Sequence, residues 1–140
     1  MVTGPFVVHH HKTGRPHFDL RLAHGGILRS WSLLREIPQR SGEKRLAIER
    51  ERFEIQAAGC LRFEEDAFGE GKVYVWDKGE VDILEASALR LILELRGARL
   101  SGKYELKRMR WYPGNRWLLR KLSDLAAVSV KVSPERTNQS

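Results

Sequence analysis

Residues 17–22 read His-Phe-Asp-Leu-Arg-Leu, polar and apolar side chains alternating without a break. Successive side chains of a strand point to opposite faces, so His17, Asp19 and Arg21 share one face and Phe18, Leu20 and Leu22 the other. Gly25-Gly26 follows, a pair that tolerates the positive φ angles of a two-residue hairpin turn, and residues 27–34 return antiparallel. Folding on that turn sets Arg21 opposite Ser30, Asp19 opposite Ser32, Leu20 opposite Trp31 and Phe18 opposite Leu33. Each pair joins like with like, whereas a one-residue slip mixes the two faces. The polar face is then either solvated or lines a site.

Strand signals continue along the chain. Residues 72–77 read as a strand, Lys78-Gly79 as a turn and residues 81–84 as the return strand. Leu89, Leu91, Leu93 and Leu95 alternate with Arg90, Ile92, Glu94 and Arg96, a longer strand with one apolar face. Gly97 and Gly102 bracket a bend, and residues 103–109 and 116–122 form a last hairpin around Pro113-Gly114-Asn115. Residues 43–55 fit either a strand or a short helix. This spacing of short strands and turns predicts one all-β domain, a small closed or partly open barrel with at most one or two short helices. The domain is expected over residues 1–132, with a flexible polar tail at 133–140.

The chain has 140 residues, 41% of them hydrophobic and 31% charged, which fits a soluble globular domain and is too apolar for a disordered one. No apolar run approaches the ~20 residues of a membrane helix, and the N-terminus lacks a signal-peptide layout, so the expected location is the cytoplasm. The lone Cys60 excludes an intramolecular disulfide, fits a reducing compartment and is assigned no role. Lysine plus arginine is 25 against 18 acidic residues, a net charge of +7 that favours a polyanionic partner. His11 and His17, Asp19 and Arg21 supply the matching chemistry. Imidazole and carboxylate ligate borderline divalent metals, and a guanidinium forks onto phosphate oxygens. Taken alone, Asp19 with Arg21 equally fits a surface salt bridge, and His9 to His11 a surface cluster. Trp111 with Tyr112, beside Pro113-Gly114, is the best candidate for stacking on a base.

An ordered set of motifs extends this reading. It comprises Phe6-Val7-Val8 leading to His11, the 17–22 run, Ser30-Trp31, Lys44-Arg45-Leu46-Ala47-Ile48, Phe68-Gly69-Glu70-Gly71, Val73-Tyr74-Val75-Trp76-Asp77-Lys78-Gly79, Leu100-Ser101-Gly102 and Trp117-Leu118-Leu119-Arg120-Lys121. In these residues, from 6 to about 124, the chain resembles the 3′-phosphoesterase domain of bacterial DNA ligase D. The resemblance implies a small β-barrel holding manganese, with zinc or cobalt as alternatives. It implies trimming of DNA or RNA–DNA 3′ ends, with removal of a terminal ribonucleoside and then of a 3′-phosphate.

Carried over residue by residue, His11 and Asp19 correspond to metal ligands, and His17 and Arg21 to groups on the reacting phosphate. Arg45 corresponds to a further phosphate-binding arginine, and Arg35 stands where the family usually has a lysine. The chain departs from the pattern at Phe53, in the place of the family's third histidine ligand, and at Ala57, in the place of its active-site tyrosine. His9, on the same strand face as His11, or an oxygen from Glu51 or Glu54, is a candidate replacement ligand. The alternative is a catalytically degenerate module that binds DNA ends through Arg21, Arg35 and Arg45, or an accessory that docks on a ligase or another end-joining protein.

Overall fold

The computed structural model describes residues 2–12, 14–54, 67–68 and 73–124. They form ten strands: β1 (Val2–His11), β2 (His17–His24), β3 (Ile27–Leu33), β4 (Lys44–Glu49), β5 (Phe53–Glu54), β6 (Ala67–Phe68), β7 (Val73–Ala86), β8 (Arg90–Gly97), β9 (Ser101–Arg108) and β10 (Arg116–Ser123). No described residue is helical, and the ambiguous 43–55 stretch contains β4 and β5. Eight long strands pair in the order β1-β2-β3-β4-β10-β9-β8-β7, and β7 closes the ring onto β1. The barrel is therefore closed and antiparallel, and the two short strands β5 and β6 hang on β3 and β7. The proposed tail at 133–140, Cys60 and Ala57 lie outside the described residues.

The hairpin register is the one the alternation predicts. Phe18 pairs with Leu33, Asp19 with Ser32, Leu20 with Trp31 and Arg21 with Ser30. Gly25 and Gly26 hold φ angles of 58° and 78°, so the turn relies on residues without a Cβ. Inward-facing Phe6, Val8, Leu20, Leu22, Trp31 and Leu33 meet Leu91, Leu93, Leu95, Leu106 and Leu119 in one buried core. The outward face of β1 to β3 carries His9, His11, His17, Asp19, Arg21, Ser30 and Ser32 beside a small apolar cluster of Val7, Ala23 and Leu28.

Residues 73–86 form one continuous strand, so the expected turn at Lys78-Gly79 does not exist. β1 runs beside β7 from the Val2–Ile83 pair to the Val73–His11 pair, which fuses the two short strands read from the sequence. Gly79 is needed for close approach rather than for turning, because a Cβ there would strike the Arg96 carbonyl. A register shift at Val8/His9 leaves Trp76 as the extra residue of a bulge, and its ring packs edge-on against Phe18 at 5.6 Å. The carboxylate of the next residue, the buried Asp77, accepts backbone N–H bonds from Ala98 (2.9 Å), Arg99 (3.1 Å) and Leu100 (2.8 Å), which fixes the β8–β9 turn.

One end of the barrel interior is polar. Arg29 on β3 and Glu49 on β4 face inward and pair at 2.9 Å, with the guanidinium 4.8 Å from the Trp31 ring and 5.5 Å from that of Trp117. Burial pushes the Glu49 carboxyl up, but bonds from Arg29 and Arg52 outweigh it and leave the pKa below the ordinary 4.5.

Two expectations follow from these contacts. Asp77→Ala strands three turn N–H groups and should lower unfolding free energy by on the order of 3 kcal/mol in a denaturant titration. A depressed folded-state pKa contributes stability that is present above the unfolded value of 4.5 and lost as pH falls through the folded value. Glu49→Gln should therefore lose less stability than the wild-type protein on acidification from about pH 5 to pH 3.

Candidate metal and phosphate site

The outward polar face gathers into a cleft of about 300 Å³ on the barrel wall, lined chiefly by His9, His11, His17, Asp19, Arg21 and Arg50. Strand register does the assembling. His11 lies opposite His17, His9 opposite Asp19 and Val7 opposite Arg21 across β1 and β2, while Ser32 and Ser30 stand opposite Asp19 and Arg21 on β3.

His11 Nε2 lies 2.7 Å from Asp19 Oδ2, and His17 Nε2 lies 3.5 Å from the same oxygen. The two imidazoles stack with centroids 4.3 Å apart. One donor atom from each of His11, His17 and Asp19 falls within 4.8 Å of the others, a spacing that suits one divalent ion. Burial is the main influence on the His11 ring and lowers its pKa, with Asp19 opposing, so the ring tends toward the neutral form a metal requires. His17 Nδ1 sits 2.8 Å from the Arg15 carbonyl; donating there leaves the Nε2 lone pair facing Asp19.

A chain of hydroxyl and guanidinium bonds aims the carboxylate. Arg50 Nε donates to Ser32 Oγ at 2.9 Å, and Ser32 Oγ donates to Asp19 Oδ1 at 2.6 Å, which leaves Oδ2 toward the histidines. Arg21 Nε donates to Ser30 Oγ at 3.3 Å. Burial lowers the Arg21 pKa and Asp19 raises it, yet an arginine remains protonated at any working pH.

Not every residue expected at the site reaches it. His9 is buried and lines the cleft, but it is not among the three residues whose donors converge. Arg35 is exposed and lies outside the cleft. Arg45 belongs to the inward-facing phase of β4, opposite Leu119, and its guanidinium donates to the carbonyls of Glu36 (3.0 Å) and Lys44 (2.9 Å). Phe53 on β5 and Glu51 do line the cleft; Glu54 does not. Arg50 was not anticipated. Its only sequence signal is that Leu46, Ile48 and Arg50 share one phase of β4, and that strand could not be told from a helix.

Comparison with known proteins identifies the family. A model of the DNA Ligase D 3'-phosphoesterase domain matches residues 9–108. The chain belongs to this family. It is 34% identical over 126 residues to the multifunctional non-homologous end joining protein LigD of Mycobacterium bovis, covering 85% of this chain and 16% of that protein. The LigD proteins of Mycolicibacterium smegmatis (29% over 131 residues, 85% and 17%) and Pseudomonas aeruginosa (30% over 132 residues, 89% and 16%) are similar too. The chain thus spans about a sixth of the length of the curated relatives it matches. The family match begins at His9 and takes in every described residue that lines the cleft. Among the described residues no helix is long and apolar enough to cross a membrane.

The convergence of donors generates a binding expectation. In a cobalt(II) titration followed by visible absorbance, His11→Ala, His17→Ala and Asp19→Ala should each weaken binding by at least about tenfold. Ser32→Ala, which only releases the carboxylate, should cost roughly 10- to 100-fold. Thermal midpoints should stay within a few degrees of wild type, because none of the four side chains belongs to the apolar core.

Proposed function

We propose that this domain is a metal-dependent phosphoesterase acting on 3′ ends of DNA or of RNA–DNA strands in end joining, removing a terminal ribonucleoside and then the 3′-phosphate. The observation that carries the reading is the convergence of His11, His17 and Asp19 beside the half-buried guanidinium of Arg21. The relatives' names place non-homologous end joining beside the same domain. The donor set of two imidazoles and one carboxylate suits manganese, zinc or cobalt.

A divalent ion held there supplies Lewis-acid polarisation of the phosphoryl oxygens. His11, His17 and Asp19 then make up the three protein ligands common in catalytic metal sites, and they do so without a contribution from position 53. His17 serves in this reading as a ligand, since its Nδ1 is bound to a carbonyl and its Nε2 joins the donor cluster. Arg21 forks onto the non-bridging oxygens of the phosphate under attack. Its partial desolvation strengthens that interaction relative to water, and Ser30 limits its rotamers. Ser32 and Arg50 keep Asp19 Oδ2 turned toward the histidines through the reaction. The cleft is open to solvent on the barrel wall, which admits a polymer end as well as the water consumed in hydrolysis.

A second reading rests on Phe53, which lines the cleft where the family has a metal-binding histidine. In that reading the site keeps its cationic character, binds DNA ends and does no chemistry.

One assay separates the two. A primer–template ending in a 3′-phosphate or a 3′-ribonucleotide should be converted to a 3′-hydroxyl end with manganese and left intact with chelator. Arg21→Ala should slow that conversion by about 10²- to 10³-fold. Chelator-insensitive binding of the same DNA, with no conversion under any metal, would establish the end-binding module instead.

A further inference from the structure

A basic surface leads away from the cleft. A second depression shares His17, Ser32 and Arg50 with it and continues over Leu34, Leu46 and Ile48 to Arg15 and Arg116. Leu34, just past the end of β3, and Leu46 on β4 are 59% and 50% exposed and give this depression an apolar floor. Register makes the path continuous. Asp19, Ser32, Ile48 and Arg116 lie in one row across β2, β3, β4 and β10, and Leu46, Leu118 and Lys107 in the next across β4, β10 and β9. Three strand spacings make the first row roughly 14 Å long, the rise of about four stacked nucleotides. Beyond it, Leu118 and Lys107 line a third depression with Arg108, Arg110, Trp111 and Tyr112.

The β9–β10 hairpin ends this path in an aromatic knob. Trp111 is 89% exposed and Tyr112 53%, with Arg110 5.9 Å from the Trp111 ring centroid. A backbone bond from Met109 N to the Arg116 carbonyl (2.8 Å) closes the hairpin, and one from Tyr112 N to the Met109 carbonyl (3.2 Å) shapes its tip. Among the described residues no carboxylate lines either of the two outer depressions. Apolar floor, arginine rim and an aromatic face at the far end are the components of a nucleic-acid strand path. A polyanion is favoured over a protein partner by the arginine rim at both depressions on a chain of net charge +7.

We propose that this face binds the DNA strand on the 5′ side of the reacting 3′ terminus. Arg15, Arg50 and Arg116 contact successive phosphates, Leu34 and Leu46 carry sugar and base faces, and Trp111 stacks on a base at the distal end. The assignment rests on the reading of the His11–His17–Asp19 cleft as the place where the 3′ end sits.

Tryptophan fluorescence tests it directly, because Trp31 and Trp117 are buried and Trp111 is the most exposed of the four. A primer–template ending in a 3′-hydroxyl, added in chelator so that no reaction proceeds, should quench the exposed emission and protect it from acrylamide. Trp111→Ala should remove that signal and raise Kd on the order of tenfold by fluorescence anisotropy of labelled DNA. Arg116→Ala should raise Kd similarly and lower the slope of log K against log salt by about 1. Trp111→Phe, which keeps a ring, should fall between wild type and Trp111→Ala. The proposal is overturned if the wild-type protein does not bind this DNA, or if the variants bind as tightly as wild type and Trp111 stays open to acrylamide at saturating DNA. Unchanged DNA binding with an altered sedimentation coefficient would make the face a protein interface and overturn it equally. Failure of the catalytic reading has a different signature: no 3′-end conversion by wild type, with the binding losses of both variants intact.

Discussion

The register between β2 and β3 is the constraint on which the rest of the molecule depends. The Gly25-Gly26 turn fixes it, and a slip by one residue would send Phe18, Leu20 and Leu22 into solvent and bring Asp19 and Arg21 inside. In the observed register the same hairpin builds two things at once. Its inner face supplies Leu20, Leu22, Trp31 and Leu33 to the core, and its outer face places Ser32 within 2.6 Å of Asp19 and Ser30 within 3.3 Å of Arg21. Stability and site therefore draw on opposite sides of one hairpin, which is why side chains of the cleft can be altered without touching the packing beneath them.

The net charge of +7 is not spread evenly. Arg90 and Arg120 are bound to Glu105, Arg96 to Glu80 and Asp82, and Arg29 to Glu49, so much of the arginine on the far wall and inside the barrel is neutralised locally. Glu105 and Asp82 show it electrostatically. Bonds from Arg90 and from Arg96, respectively, are the largest influences and lower each carboxyl below its ordinary value. Arg15, Arg50 and Arg116, which line the cleft or the depression beside it, enter no ion pair among the described residues. Composition alone predicts an anionic partner, and the arginines outside ion pairs beside the cleft support the face proposed for it above.

Local alternation made a large part of this legible. The β2–β3 pairing, the inward leucines of β8 and the last hairpin follow from period-two patterning and turn residues that act over a few positions. What failed to show is non-local. Lys78-Gly79 carries turn chemistry, yet β1 pairs along the whole of β7, and the glycine answers to the Arg96 carbonyl of another strand. Asp77 looks like one more polar residue near a turn, while its carboxylate holds the backbone of residues 98–100. Arg50, for which the sequence raised no expectation, lines the cleft, while Arg45 does not, for the same reason. The phase of β4 is set by its pairing with β3 and β10, and that phase turns Arg50 outward to Ser32 and Arg45 toward the carbonyl of Glu36.

If the cleft holds a metal as proposed, Phe53 would matter less to it than its place in the motif suggests. A third ligand matters because two donors leave an ion weakly held and free to shift, whereas three fix it and leave positions open for substrate. In the reading proposed above His17 would meet that need from β2 itself, where the strand that carries Asp19 also carries the imidazole, and its Nδ1 lies 2.8 Å from the Arg15 carbonyl. A ligand from position 53 would instead come from β5, a two-residue strand paired to β3 only at Ile27 and Leu28. Three donors on the β1–β2 pair of the barrel wall are held by a continuous hydrogen-bonded ladder. Donors on β1 and β2 make the rigidity of the site a property of the barrel and not of the short strand at its margin.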